Sequence, residues 1–160
     1  MSLTPFLAFF LLAAAQAPAP PGSALEQFFV GTTEGQGSVN VILSGRHAVR
    51  DRTRGRRAPD GALILDQIVE EEGRPARRRT WRLARTGGNR ITGSITDAQG
   101  AVAGEVTGNV FHLRYKMKEG PSVEQWITIQ PGGRSARNRM VFRKFGMKVA
   151  SVEETIRRVD

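Results

Sequence analysis

The feature that most constrains this fold is the regular alternation of short apolar runs with turn-forming clusters. After residue 24, runs of about five to eight residues are separated by Gly, Asn, Asp or Pro, the spacing of a β-sandwich or a β-barrel. No segment carries the long periodicity of an amphipathic helix. The sequence therefore predicts strands at 25–33, 38–44, 47–52, 62–70, 77–84, 90–96, 102–107, 110–117, 123–129 and 138–144. A further strand is predicted from residue 148 to residue 157.

The connections between these runs favour antiparallel neighbours. Pro59-Asp60-Gly61, Gly87-Gly88-Asn89 and Gly108-Asn109 accommodate the backbone angles of tight turns. Within 110–117, apolar and polar residues alternate, so the strand has one buried apolar face and one solvent-exposed polar face. We therefore predict an all-β domain over 25–160, a single antiparallel barrel of about eight to ten short strands, with a β-sandwich as the alternative.

The N-terminus has the pattern of a secretory signal peptide. An apolar run at 6–15 ends in small residues, which suit cleavage after Ala15, and a Pro/Ala-rich linker follows over 16–24. The segment before the apolar run contains no Lys or Arg, so an uncleaved interfacial anchor is the alternative. With 1–15 as a signal peptide, the expected location is periplasmic or secreted, in a bacterium.

The charge and the cysteine content limit the partners. The chain has 24 Lys and Arg against 15 Asp and Glu, a net charge of +9, and no cysteine. Disulfides, thiolate sites and a lipidated cysteine are therefore excluded. The positive charge favours anionic lipid and contact with a membrane surface. Nucleic acid is not expected, because the basic stretches 46–57 and 74–79 lack the several interleaved aromatics of a stacking platform.

Three segments resemble a family of exported, lipocalin-like bacterial proteins of the domain-of-unknown-function 3833 type. They are 78–83 (RRTWRL), 100–115 (GAVAGEVTGNVFHLRY) and 138–146 (NRMVFRKFG), with looser similarity over 25–29 and 31–37. The resemblance implies a lipocalin-like barrel and a link to envelope lipid, and it implies no activity. The chain departs from the family pattern in lacking the lipidated cysteine, in Leu113 where Trp is usual, and in Gln125 where an acid is usual.

Charged residues within the predicted strands are the first candidates for a site. Glu70, Glu105, Arg79 and Arg114 could form a polar cluster inside the barrel. Buried ions are costly unless they are paired, so such a cluster would either hold a ligand headgroup or fix the strand register.

Large aromatic residues are the second candidates. They are Trp81, Tyr115, Trp126 and Phe145, which offer apolar area and, at Trp and Tyr, a polar group. Two interpretations remain open for these residues: they contact a ligand in a pocket, or they fill the core. In a barrel the two overlap, because the residues of the core also form the wall of the cavity.

The sequence supports no catalytic residues, metal site or cofactor. His47 and His112 lie on different predicted strands without ligand spacing, and no Gly-x-Ser-x-Gly elbow occurs. The leading hypothesis is a barrel that binds a lipid or another apolar small molecule. The alternatives are a structural protein with a filled barrel and cationic surface, and an enzyme in which Glu70, Glu105, Arg79, Arg114 and Tyr115 converge. No oligomeric state is predicted.

Overall fold

The computed structural model describes residues 23–118 and 120–160. The predicted signal peptide and residues 16–22 of the predicted linker lie outside the described residues. One short helix, α1 (Ala24–Phe29), precedes ten strands. The strands are β1 (Gly31–Val41), β2 (Gly45–Arg57), β3 (Leu63–Glu71), β4 (Arg77–Gly87), β5 (Arg90–Ile95), β6 (Ala98–Thr107), β7 (Val110–Met117), β8 (Ser122–Ile129), β9 (Ser135–Lys144) and β10 (Met147–Arg158).

The ten strands form a closed antiparallel barrel in which each strand pairs with its sequence neighbours. The first strand closes the sheet by pairing with the last, with Gly35 opposite Ile156 and Val39 opposite Val152. Closure leaves no unpaired strand edge. The predicted all-β barrel is confirmed, and the β-sandwich alternative is wrong.

The predicted strand at 25–33 is wrong in its first half, because residues 24–29 form α1. Ser23 caps the helix: its Oγ accepts from the Glu26 backbone N–H at 3.4 Å, and the Glu26 carboxylate accepts from the Ser23 N–H at 2.7 Å. This reciprocal arrangement is a capping box. Glu26 also forms ion pairs with Arg57 and Arg85, which fix the helix to β2 and β4.

The helix closes one end of the barrel, which we call the closed end. Phe28 and Phe29 are buried and join the main apolar core. Gly55 on β2 makes room for the helix, since a Cβ there would overlap the Phe29 carbonyl oxygen. Among the described residues, no helix is long and apolar enough to cross a membrane.

The basic stretch at 46–57 lies within β2. Its even-numbered arginines alternate with buried residues such as Val49 and Thr53 and therefore lie on the outer face, whereas Arg57 at the end of the strand pairs with Glu26 of α1. Arg52 pairs with Glu34 and Arg56 pairs with Asp66 on the neighbouring strands. These exposed pairs contribute little to stability, each on the order of 0–1 kcal/mol.

Candidate functional site

The barrel interior is divided into a packed half and a hollow half. Towards the closed end, large apolar side chains fill the space and leave a cavity of only about 40 Å³. Towards the opposite end, which we call the mouth, a cavity of about 710 Å³ opens. That volume lies within the roughly 300–1,000 Å³ typical of small-molecule sites. Side chains therefore fill only one half of the barrel.

The wall of the hollow half is mostly aliphatic. Strand alternation directs these residues inward from β1, β2, β3, β9 and β10. The wall residues are Val39, Val41, Val49, Val69, Met140, Phe142, Ala150 and Val152. Val39, Val49 and Val152 pack together as a small apolar cluster separate from the main core. The wall can therefore contact the apolar body of a ligand.

A ring of polar side chains, the polar belt, separates the two halves. Its members come from seven of the ten strands. They are Asp51, Thr53, Gln67, Arg79, Tyr115, Gln125, Asn138 and Glu154. Most of these residues line the cavity. The polar belt thus forms the floor of the hollow half.

One side of the polar belt is a continuous series of hydrogen bonds. The Tyr115 hydroxyl donates to Gln125 Oε1 at 3.4 Å, and Gln125 Nε2 donates to Asn138 Oδ1 at 2.9 Å. Asn138 Nδ2 then donates to Glu154 Oε2 at 2.9 Å, and the Glu154 carboxyl shares a hydrogen bond with Asp51. Such a series satisfies buried polar groups that would otherwise be costly.

The Glu154 carboxyl holds a proton next to Asp51. Burial and the neighbouring Asp51 raise the pKa of Glu154 to about 9. Two carboxylates in one partly buried place cannot both ionise at low cost. At neutral pH the Glu154 carboxyl therefore keeps its proton and can donate it to Asp51 in a hydrogen bond.

Gly35 on β1 makes this pair possible. It lies between Asp51 on β2 and Ile156 on β10, its partners in register. A Cβ at this position would overlap the Asp51 carboxylate and the Glu154 carboxyl group. The two carboxyl groups therefore meet in the space that a side chain at residue 35 would occupy.

The other side of the polar belt is built around Arg79. Its Nε lies 3.4 Å from Asp97 Oδ2, and its guanidinium lies 5.9 Å from the centre of the Trp81 ring. Arg79 Nε is buried and makes no hydrogen bond within residues 23–118 and 120–160. The Trp81 Nε1–H donates to Gln67 Oε1 at 3.1 Å. The Arg79 Nε–H therefore faces the Asp97 carboxylate in a partly buried ion pair and makes no further hydrogen bond within the described residues.

Tyr115 packs against the side of the polar belt that contains Arg79 and Trp81. Its ring meets Trp81 edge to face at 5.5 Å between centroids. Burial raises the pKa of the Tyr115 hydroxyl to about 12, with Arg79 acting in the opposite direction. Tyr115 therefore stays protonated at physiological pH and acts as a hydrogen-bond donor.

Three of the predicted site residues lie inside the barrel: Arg79, Trp81 and Tyr115. Arg79 and Trp81 line the cavity. A role in ligand contact remains a prediction for all three.

The prediction of an interior cluster is wrong for Glu70, Glu105 and Arg114. Each of these three residues alternates with inward-facing neighbours and therefore lies on the outer, solvent-exposed face of the barrel. Glu70 faces an outer groove beside Arg50. Because these three residues lie outside while Arg79 and Tyr115 lie inside, the five residues of the enzyme hypothesis do not converge.

The aromatics Trp126 and Phe145 also lie away from the cavity. Trp126 stacks on His112 on the outer face at 5.0 Å, with Arg139 on the Trp126 ring at 5.5 Å. His112 contacts Glu124 at 2.8 Å and Glu105 at 3.3 Å, so this group joins β6, β7, β8 and β9. Phe145 is exposed at a hairpin tip. These two aromatics therefore do not line the barrel cavity, and Trp126 lines a groove on the outer face instead.

The sequence reasoning missed most of the polar belt. Asp51, Gln67, Asn138 and Glu154 share one signal, a polar residue at an inward position of an alternating strand. In the sequence Gln125 stands out only as a departure from the family pattern, and in the structure its amide lies within the polar belt.

Comparison with solved structures supports the fold. The S-type phycobiliprotein lyase CPES from Guillardia theta matches with a TM-score of 0.68 at 9% identity, over 84% of this chain and 90% of that chain. A protein of unknown function from the DUF3598 family of Nostoc punctiforme matches with a TM-score of 0.60 at 14% identity. This match covers 83% of the present chain and 48% of the Nostoc protein. At these identities the likeness shows the lipocalin-like fold alone.

Sequence comparison places the chain in a family. No curated protein matches it. The model of one family, described as a protein of unknown function, matches residues 13–158, which is nearly the whole chain. The chain therefore belongs to the DUF3833 family.

Proposed function

We propose that this protein binds an amphipathic small molecule of the lipid class in the hollow half of its barrel. The observation that carries the proposal is the cavity of about 710 Å³ with an aliphatic wall and a polar floor. A barrel with a purely structural role would be expected to have a packed interior, because an empty apolar cavity destabilises the fold.

The charges around the cavity indicate how such a molecule would be oriented. Beside the cation Arg79 the floor holds Asp51, Asp97 and Glu154, of which Glu154 keeps its proton at neutral pH, so an anionic group of a ligand there would meet the carboxylates of Asp51 and Asp97. The mouth is lined by Arg74, Arg77 and Lys118 against one acid, Glu71, which pairs with Arg74 at 3.2 Å and leaves an excess of positive charge. An anionic headgroup is therefore favoured at the mouth, and the neutral remainder of the ligand would extend along the aliphatic wall towards the floor.

The similar barrel of a phycobiliprotein lyase is in keeping with this proposal, since that protein shares the architecture. The family of unknown function adds no ligand.

The proposal also includes export to the bacterial envelope, on the strength of the signal-peptide pattern at 1–15. N-terminal sequencing of the protein recovered from its own host tests this part. A mature chain that begins at Gln16 in the periplasmic or secreted fraction supports export. A chain that retains residues 1–15 in the cytoplasmic fraction contradicts it.

The binding itself is tested by native mass spectrometry of the purified protein, followed by lipid extraction. A stoichiometric co-purifying lipid is the expected result. Titration with a fluorescent fatty acid then provides a binding curve for variants. A protein that purifies empty and binds no fatty-acid probe contradicts the proposal.

Val41→Trp and Asn40→Trp are the matched variants for this titration. Val41 lines the cavity, whereas Asn40, the adjacent residue on β1, is exposed. We expect Val41→Trp to fill part of the cavity and weaken probe binding at least tenfold, with Asn40→Trp unchanged. Equal effects of the two substitutions would place the probe outside the barrel.

A further inference from the structure

Two hairpin tips at the mouth expose apolar side chains. The tips join β1 to β2 and β9 to β10. Leu43 is fully exposed and Phe145 is 89% exposed, and Ile42 and Met147 beside them are also exposed. We call these four residues the mouth patch. The fifth large apolar residue exposed among the described residues, Val159, lies at the closed end.

The two tips are neighbours in space because β1 pairs with β10. The Ile42 backbone N–H donates to the Val149 carbonyl oxygen at 3.0 Å, which joins the first tip to the second strand of the other hairpin. The mouth patch is therefore one surface beside the opening of the cavity, rather than two separate points.

The backbone at both tips is unusual for the residues it carries. Leu43 has φ of 78° and Phe145 has φ of 51°, and they are the non-glycine residues with positive φ in the described part of the chain. Phe145 and Gly146 both have positive φ, as a type I′ turn requires, and Asn is the usual first residue of such a turn. Large apolar residues thus occupy positions where turn chemistry favours small polar ones, and strain of this kind gathers at functional sites.

The two tips carry cations and no acids, while the neighbouring β3–β4 connection brings one acid, Glu72, to the Ala48 backbone N–H at 3.1 Å. Segments 41–48 and 142–149 contain Arg46, Arg143, Lys144 and Lys148 and no Asp or Glu. Lys144 Nζ lies 5.9 Å from the centre of the Phe145 ring. The surface therefore combines exposed apolar side chains with a local excess of positive charge.

We propose that the mouth patch docks on an anionic lipid surface. Apolar side chains would enter the boundary between headgroups and acyl chains, and the four cations would contact phosphates. Charge argues against a second copy as the occupant, because a two-fold interface would bring the same cationic tips together. Docking in this orientation would open the cavity towards the membrane.

This inference goes beyond the proposed ligand site and does not depend on it. The natural chain has no cysteine, so a single introduced cysteine gives one defined label. Phe145→Cys labels the mouth, and Val159→Cys labels the closed end as the matched control. Each full-length variant carries an environment-sensitive fluorophore and is mixed with vesicles of phosphatidylcholine, with or without phosphatidylglycerol.

We expect the label at position 145 to shift to shorter wavelength and brighten at least twofold on phosphatidylglycerol vesicles. The label at position 159 should not respond. No response at 145, or an equal or larger response at 159, overturns the inference. An equal response on pure phosphatidylcholine overturns the assignment to an anionic surface.

A second variant shows whether the apolar tips are responsible. Leu43→Asn with Phe145→Asn places a turn-compatible residue at each positive φ, so the barrel is expected to fold, as circular dichroism can verify. For this comparison the label is attached to a cysteine introduced by Met147→Cys. The vesicle response of the labelled double-asparagine protein should be at least fivefold smaller than that of Met147→Cys in the otherwise natural chain. An unchanged response overturns the inference.

Sedimentation of the same proteins without vesicles tests the second copy as occupant. We expect no change in mass on introducing the two asparagines. A dimer that these substitutions convert to a monomer, together with no vesicle response, assigns the patch to self-association and overturns lipid docking. Fatty-acid binding in the cavity should be unchanged in the double variant, so failure of docking and failure of ligand binding are distinguishable.

Discussion

Asp51 and Glu154 share a hydrogen bond although they lie on strands that are not paired with each other. Strand β1 runs between β2 and β10, and the two carboxyl groups meet over its Gly35. The contact depends on closure of the barrel, because only then do the second and the last strands flank the first.

Glu154→Gln should remove a pH-dependent component of stability. The Glu154 carboxyl has an ordinary pKa of 4.5 and a pKa of about 9 in the barrel. Between these values the folded state holds a proton that the unfolded state has lost. The free energy of unfolding therefore falls as pH rises, by up to about 1.4 kcal/mol per pH unit.

Urea denaturation at pH 5.5, 7.0 and 8.5 measures this component. The advantage of Glu154→Gln over the natural protein should grow with pH, since the amide keeps the hydrogen bonds and cannot ionise. Glu153→Gln, at the exposed adjacent position, is the control and should run parallel to the natural protein. A parallel profile for Glu154→Gln would contradict the raised pKa.

Gly35→Ala should destabilise the barrel by about 1–3 kcal/mol, because the new methyl group would displace the carboxyl pair. A double-mutant cycle with Asp51→Ala identifies the cause. The cost of Gly35→Ala should drop when the Asp51 carboxylate is absent. Additive costs in thermal or urea unfolding would show that the methyl group acts elsewhere.

Arg77→Gln combined with Lys118→Gln should weaken binding of an anionic acyl probe by about three- to tenfold, the range for two exposed charges. Binding of the corresponding uncharged alcohol should hardly change. Arg78→Gln is the matched control, because Arg78 is exposed on the opposite face of β4. Isothermal titration with both probes measures the difference, and equal losses for the two would refute a headgroup at the mouth.

Phe145→Asn should raise the free energy of unfolding by about 1 kcal/mol, because asparagine tolerates the positive φ that phenylalanine adopts there. Met147→Asn removes a neighbouring exposed apolar residue without positive φ and should bring no such gain. Urea denaturation compares the two. A loss of stability in Phe145→Asn would mean that the ring makes contacts that stabilise the tip.

The fold was predictable because its signals are local. Alternation along 110–117 already separates Leu113 and Tyr115 from Arg114, and the turn residues define the hairpins. The helix α1 was missed although the Ser23 to Glu26 spacing is the signature of a capping box. A six-residue helix is too short for periodicity to reveal.

The polar belt could not be predicted in the same way. Alternation tells whether Asn138 or Glu154 points inward, but the height of each residue in the barrel depends on the register of all ten strands. The error over Glu105 and Arg114 has a different origin, because alternation alone already puts Arg114 on the face opposite to Tyr115 and Glu105 on the face opposite to Val106. Charges on neighbouring strands were expected to face inward together, and they do lie close, 3.9 Å apart, but on the outside.

The unequal filling of the barrel separates the residues that hold the domain together from those that determine what it can contain. The closed half, sealed by Phe28 and Phe29, has a complete core of its own. Substitutions in the wall of the hollow half, such as at Val41 or Ala150, can therefore change the shape of the cavity without disturbing this core. The same closed half can therefore support hollow halves of different depth, which makes the barrel a starting point for designing receptors of chosen depth.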